Sequence, residues 1–323
     1  MSKADPIEQA LNAIGELRMA AASEQVVQQL RAYLKNRSNL VVAKAAKVAG
    51  ELHLSGLIAD LVAAFNRLMV NPAKLDKRCA AITEIVSALY ELDYTEPEIY
   101  LQGIRHVQRE ASFGPPIDTA ATLRGRSAQG LLRTRYPDAI AMVLDLLVDP
   151  EPPARLGAIR GLALNGGQVG PLLLRLKVLT GDADPEIVSE CFSALLAAPG
   201  ASLPFVAKYI DSEDDVIAEA AIWALGQSRQ TAALPVLQEK WKLTADRSLR
   251  KTLIAALAAS RLQESFDFLC SQLRTADTRT AGDIITALSD YASSESLRQV
   301  VAAAVEERRE PKLTELFQQH FGR

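Results

Sequence analysis

Histidine is scarce. The 323-residue chain has three, His53, His106 and His320, each isolated and none followed by Glu. No pair is spaced to hold a metal, so no metal or other cofactor is expected, and each reads as a surface or helix-end histidine. Cysteine is equally sparse. Cys79, Cys191 and Cys270 are odd in number and far apart, which excludes a disulfide framework and leaves structural thiols in a reducing compartment. Aromatic residues make up 5% of the chain, which disfavours an aromatic-rich β-sheet. No apolar run approaches the roughly 20 residues that span a bilayer. The opening residues Met1-Ser2-Lys3-Ala4-Asp5-Pro6 lack a hydrophobic signal core, and a soluble cytoplasmic protein is expected. The glycine-rich phosphate cradles and the Gly-x-Ser-x-Gly nucleophile turn are missing as well, so no catalytic residues are nominated and the chain is expected not to be an enzyme. A net charge of -3 implies no overall nucleic-acid coat.

What is present is Ala, Leu and repetition, with 49% of residues apolar. The clearest copy of the repeat is Asp214-Asp215-Val216-Ile217-Ala218-Glu219-Ala220-Ala221-Ile222-Trp223-Ala224-Leu225-Gly226. With Leu225 as the anchor, the equivalent position falls at Ala49, Ile85, Leu131, Leu162, Leu195, Leu257 and Leu288. Subtraction gives steps of 36, 46, 31, 33, 30, 32 and 31 residues, the length of two helices and two turns for all but the second. Eleven residues before the anchor stand Ser38, Glu151, Asp184, Asp214, Asp246 and Asp277, residue types that cap a helix start. Four before it, most units carry a small residue: Ala45, Ala81, Ser127, Ala158, Cys191 and Ala221, giving way to Leu253 and Ile284 in the last two. Arg78, Arg124, Arg155 and Arg250 recur seven before it and are expected to tie adjacent repeats together. Capping also explains the acid run 211–215 better than a cation site does.

Amphipathic partners fill the gaps, at 139–148, 169–179, 203–210, 232–243 and 265–273, several opened by Pro. Each unit is therefore an outer helix, a turn and an inner small-residue helix. The long second step predicts an outer helix over 98–110 followed by a loop at 112–118, read as a tolerated insertion in preference to a projecting binding loop.

Two stretches, Asp214–Gly226 and Asp149-Pro150-Glu151-Pro152-Pro153-Ala154-Arg155-Leu156-Gly157-Ala158-Ile159-Arg160-Gly161-Leu162, resemble HEAT repeats and their bacterial relatives. The resemblance covers roughly residues 23–292. It implies an all-α, right-handed α-solenoid (superhelix) of about eight helix pairs in a single domain over 1–323, with an N-terminal capping helix in 1–22, repeats over 23–292 and C-terminal capping helices in 293–323. Known relatives include scaffolds, alkylpurine DNA glycosylases and bilin lyases. A HEAT-like metal hydroxylase needs repeated His-Glu pairs, which this sequence lacks.

Helix geometry then picks out the open side. Residues advance about 100° each, so Trp223 lies about 200° from Ala221 while Ile217 and Leu225 lie within about 40° of it. The same side across the units carries Lys44 and Lys47, then Arg126, Arg160, Glu190, Glu219 with Trp223, and Lys251. The N-terminal half of this groove reads as basic and the middle as acidic, with an outward Trp suited to anchoring a partner. Trp241 follows Leu234 and Leu237 at helical spacing and is predicted to be core. The leading expectation is a non-enzymatic scaffold holding a protein or peptide in its concave groove, with no membrane. A DNA-binding protein of the alkylpurine glycosylase type ranks second, since Lys44, Lys47, Arg126 and Arg160 could meet phosphates, although the pI of about 5.8 argues against a basic footprint. A bilin lyase-like protein ranks third, on the resemblance alone.

Overall fold

The computed structural model describes residues 5–20, 22–198 and 202–322. They divide into two compact units, Met1–Leu173 and Leu174–Arg323, and each is an all-α repeat stack. Unit 1 opens with α1 (Pro6–Met19), then α2 (Glu24–Leu34) and α3 (Asn39–Glu51). Next come α4 (Ile58–Met69), the single turn α5 (Pro72–Leu75) and α6 (Ala80–Glu91). They are followed by α7 (Pro97–Ile104), strands β1 (Arg109–Glu110) and β2 (Ile117–Asp118), α8 (Ala121–Arg133), α9 (Ala139–Leu146) and α10 (Pro152–Asn165). The division between units falls within α11 (Val169–Thr180). Unit 2 continues with α12 (Pro185–Ala197), α13 (Leu203–Ala207), α14 (Asp215–Gln227), α15 (Leu234–Leu243) and α16 (Arg247–Ala259). It closes with α17 (Gln263–Thr275), α18 (Thr278–Leu288), α19 (Glu295–Arg308) and α20 (Pro311–Phe321).

The register places the core. Every anchor residue is buried, from Ala49 to Leu288, and so is every residue four before it, Leu253 and Ile284 included. Inner helices pack side by side within each unit: α3 on α6, α6 on α8 and α8 on α10, then α12 on α14, α14 on α16 and α16 on α18. The terminal helices join these stacks. Helix α1 lies against α3, α20 against α18 and α19 against α17, so α19 and α20 add a further pair in the same arrangement. The end of the predicted N-terminal helix at Ala21 and residues 1–4 lie outside the described residues.

Helix starts follow the expected chemistry in four units. Asp184, Asp214, Asp246 and Asp277 each accept a hydrogen bond from a backbone N–H in the first turn. Ser38 and Glu151 occupy the same position without a side-chain cap. Their own N–H groups donate to the residue two before, Ser38 N–H to Asn36 Oδ1 at 2.8 Å and Glu151 N–H to Asp149 Oδ1 at 2.9 Å, a bond that fixes the turn entering the helix. Helix α6 is capped by fully buried Asp76, whose oxygens accept from Ala81 and Ile82 N–H at 3.0 and 2.8 Å. That residue falls outside the repeat register because the single turn α5 shifts the cap.

The recurrent Arg residues do not all make the same contacts. Arg155 Nη1 donates to the carbonyls of Asp149 and Pro150, and Arg250 Nε to that of Thr244, each in the loop just before its own helix. Arg78 is exposed. Arg124 joins separate elements through Asp118 and Asp149, and the Arg250 guanidinium also lies 5.5 Å from the centroid of the Trp241 ring on α15. Trp241 is buried as predicted, and its Nε1 donates to Gln272 Oε1 at 3.0 Å.

Several helices end on a left-handed residue that is not Gly: His53, Arg135, Arg229 and Arg261 stand four residues after their anchors with φ between 50° and 57°. Gly favours this conformation and L side chains resist it by about 1 kcal/mol. Arg229→Gly is expected to stabilise unit 2 by about 0.5–1 kcal/mol, read as a higher urea midpoint. An unchanged or lower midpoint would mean that the Arg229 side chain contributes more than the strain costs.

Candidate functional site

The open face of unit 2 is built around α14. One side of this helix is closed, with Ala218, Ala221, Ile222, Ala224 and Leu225 all buried. Gly226 brings α16 so near that a Cβ there would stand 2.3 Å from the Ala256 carbonyl oxygen. No space remains for an indole on that side. Trp223 is exposed at 37%, with Val216 at 54%. Glu219 is half-buried on the same helix, Lys251 is exposed on α16, and Glu190 is half-buried on α12 and engaged in a contact. The predicted residues of this unit therefore occupy three consecutive inner helices.

In unit 1 the predicted cations are separated. Lys44 lies over α1, where a Cβ on Gly15 would be 3.4 Å from its Nζ. Lys47 and Arg126 line one recess of about 310 Å³ over α3, α6 and α8. Arg126 and Arg160 line a smaller one of about 110 Å³ between α8 and α10. The larger recess also contains Glu84 and Glu91 of α6, which sequence reasoning passed over, so the basic N-terminal half is in fact of mixed charge. A signal was available. Glu84 stands one residue before its anchor, where the other units carry Val48, Gly130, Gly161, Ala194, Ala224, Ala256 and Ala287.

The long second step holds the other dense polar site. The predicted outer helix over 98–110 stops at Ile104, and the chain then forms a hairpin, with Arg109 opposite Asp118 and Glu110 opposite Ile117. Beyond the helix residues 107–110 alternate, with Val107 and Arg109 outward and Gln108 buried. Period two with the polar residue inward is the reverse of the usual strand signal. Gln108 Nε2 donates to the Asp76 carbonyl at 3.0 Å and to Glu110 Oε1 at 2.6 Å. Glu110 also accepts from Arg78 N–H at 2.5 Å, steadying two successive left-handed residues, Arg78 and Cys79. Burial would raise the Glu110 carboxyl, but the hydrogen bonds from Gln108, Arg78 and Thr119 outweigh it and hold it below the usual range.

Beside the second strand of the hairpin, Arg124 is buried between two carboxylates. It reaches Asp118 at 2.6 Å and takes Asp149 with both Nε (2.8 Å) and Nη2 (2.9 Å). The hairpin stem is thus locked into the core of unit 1, while its tip leaves Phe113 fully exposed. The thiols offer no nucleophile. All three are buried, and burial pushes Cys79 and Cys191 up to about 12 and Cys270 to about 11. Among the described residues no cluster of His, Cys, Asp and Glu could hold a metal ion.

Residues 172–258 match the family described as HEAT repeats. The repeats within those residues are HEAT repeats. No curated protein matches the chain. Among solved structures the chain is similar to human deoxyhypusine hydroxylase in complex with glycerol, at 17% identity over 80% of this chain and 91% of that one, with a TM-score of 0.32. It is also similar to the complex of CpcE and CpcF of phycocyanin lyase from Nostoc, at 15% identity over 87% and 92%, with a TM-score of 0.34. These likenesses correct one expectation. A HEAT architecture without a familiar catalytic motif was read as a non-enzyme, yet a hydroxylase and a lyase are among the proteins of similar fold. At such identities the likeness concerns the fold and assigns no activity to this chain.

Proposed function

We propose that this HEAT-repeat chain is a scaffold that holds a protein or peptide partner against the open face of its inner helices. The observation that carries the reading is Trp223, an indole exposed at 37% on a helix whose other side is closed. Large amphipathic aromatics at such positions commonly anchor interfaces. Around it, Glu219, Glu190 and Lys251 supply polar contacts; in unit 1 the corresponding face offers Lys44, Lys47, Arg126 and Arg160. Nucleic acid is the weaker partner class, because Glu84 and Glu91 share a recess with Lys47 and Arg126 and would repel phosphates. No described helix is long and apolar enough to cross a membrane. The three free, buried thiols suit a cytoplasmic location.

Affinity purification of wild type beside Trp223→Ala tests this reading. The variant is expected to bind the captured partner about tenfold or more weakly, the loss of one anchor residue. Its urea midpoint should stay close to that of wild type because the side chain is already exposed. Equal affinity would remove Trp223 from the interface, and recovery of duplex DNA in place of protein would favour the nucleic-acid class.

A further inference from the structure

The recess on unit 1 has an ordered charge pattern. Its middle helix, α6, packs between α3 and α8. Glu84 and Glu91 stand seven residues apart on α6, about 10.5 Å along its axis, with Ser87 between them. Lys47 flanks them from α3 and Arg126 from α8. Across the helices the order is cation, anions, cation.

These charges are not used internally. The lining residue Glu51 is neutralised by Arg18 at 2.8 Å. Among the described residues, Lys47, Glu84 and Glu91 make no ion pair, and Arg126 reaches only Gln129, at 3.3 Å. Opposite charges that share a recess of about 310 Å³ without pairing are left to a ligand. The floor beneath them is closed, since a Cβ on Gly50 would stand 3.0 Å from Ala88 Cα. Glu84 also occupies the register position that small or apolar residues hold in every other unit.

We infer that this recess recognises a peptide segment in the polyproline II conformation carrying a basic side chain with an acidic side chain three residues before it and another three residues after it. The inference rests on the scaffold reading above and specifies the partner's chemistry at unit 1. Packed helices lie about 8–10 Å apart, and one turn of polyproline II, three residues, advances about 9.3 Å and returns the side chain to the same face. A peptide crossing α3, α6 and α8 therefore sets its basic group over Glu84 and Glu91 and its acids over Lys47 and Arg126. Polybasic segments and nucleic acids place a like charge on one of these sites.

The test is a fluorescence-anisotropy titration of the full chain with two labelled, end-blocked peptides of identical composition, Asp-Ala-Ala-Arg-Ala-Ala-Asp and Arg-Ala-Ala-Asp-Ala-Ala-Asp. The first is expected to bind at least fivefold more tightly. Glu84→Gln combined with Glu91→Gln should abolish the preference, and matching thermal melts would show that this variant folds. Equal binding of the two isomers, no binding of either, or a preference that survives in the double variant would overturn the inference. Trp223→Ala, on unit 2, should keep the preference. If the isomers are not distinguished while partner capture still depends on Trp223, the charge order fails and the scaffold reading stands.

Discussion

Gly157→Ala is expected to destabilise unit 1 by about 3 kcal/mol, the upper end of the usual cost of overpacking. Helix propensity alone gives the opposite sign, since Ala in a helix interior is better than Gly by roughly 0.5–1 kcal/mol. Tertiary packing decides the matter. Helices α8 and α10 cross at Gly125 and Gly157, and a Cβ on Gly157 would stand 2.2 Å from Gly125 Cα and 2.7 Å from Gly125 O. Backbone cannot swing aside as a side-chain end can, so the two helices must separate. Gly282 of α18 is the internal control. A Cβ there would meet only Leu316 Cδ2, at 3.4 Å, and Gly282→Ala is expected to stabilise by about 0.5–1 kcal/mol. Urea denaturation of the two variants reads both signs. A stabilised Gly157→Ala protein would mean that α8 and α10 do not touch at these glycines.

Arg124→Met is expected to cost about 3–5 kcal/mol, the usual effect of stripping one partner from a buried ionic group. The Arg124 side chain is 5% exposed, and those of Asp118 and Asp149 are 10% and 11%. Without the guanidinium, two nearly buried carboxylates face each other uncompensated. The loss should depend on pH. Burial alone would raise the Asp118 carboxyl, but hydrogen bonds from Ala120 N–H, Arg124 and Gln108 N–H hold it below the ordinary range. A depressed carboxyl contributes stability above its unfolded pKa of about 3.9, and that contribution disappears as pH falls through the folded value. Wild type should therefore lose stability on acidification below about pH 4. The variant should lose less, because protonation relieves its carboxylate repulsion. Unfolding free energies at pH 7 and pH 3.5 measure both, and a deficit unchanged between them would assign the cost to packing and not to charge.

The sequence is a good guide to which side chains are exposed on one helix and a poor one to which charges share a recess across helices. The outward position of Trp223 follows from helical angles, and the exposure agrees with them. Along the individual helices Lys44, Lys47, Arg126 and Arg160 form one basic stretch. Stacking places α6 between α3 and α8 and so inserts Glu84 and Glu91 among these cations. The hairpin at 109–118 was invisible for a related reason. Its inward residues are Gln108 and Glu110, whose partners Asp76 and Arg78 lie about thirty residues earlier, so no local hydrophobic pattern marks the strands.

By itself the sequence determined the repeat: the anchors, the small residues four before them, the acid caps and the helix pairs, because these depend on the period of a helix and on neighbours within one or two turns. Tertiary structure alone decided which helices approach to backbone contact, as at Gly125 and Gly157, where Arg124 finds both its carboxylates, and which charges share a recess. Those outcomes depend on distances between residues in different repeats, and packing sets such distances.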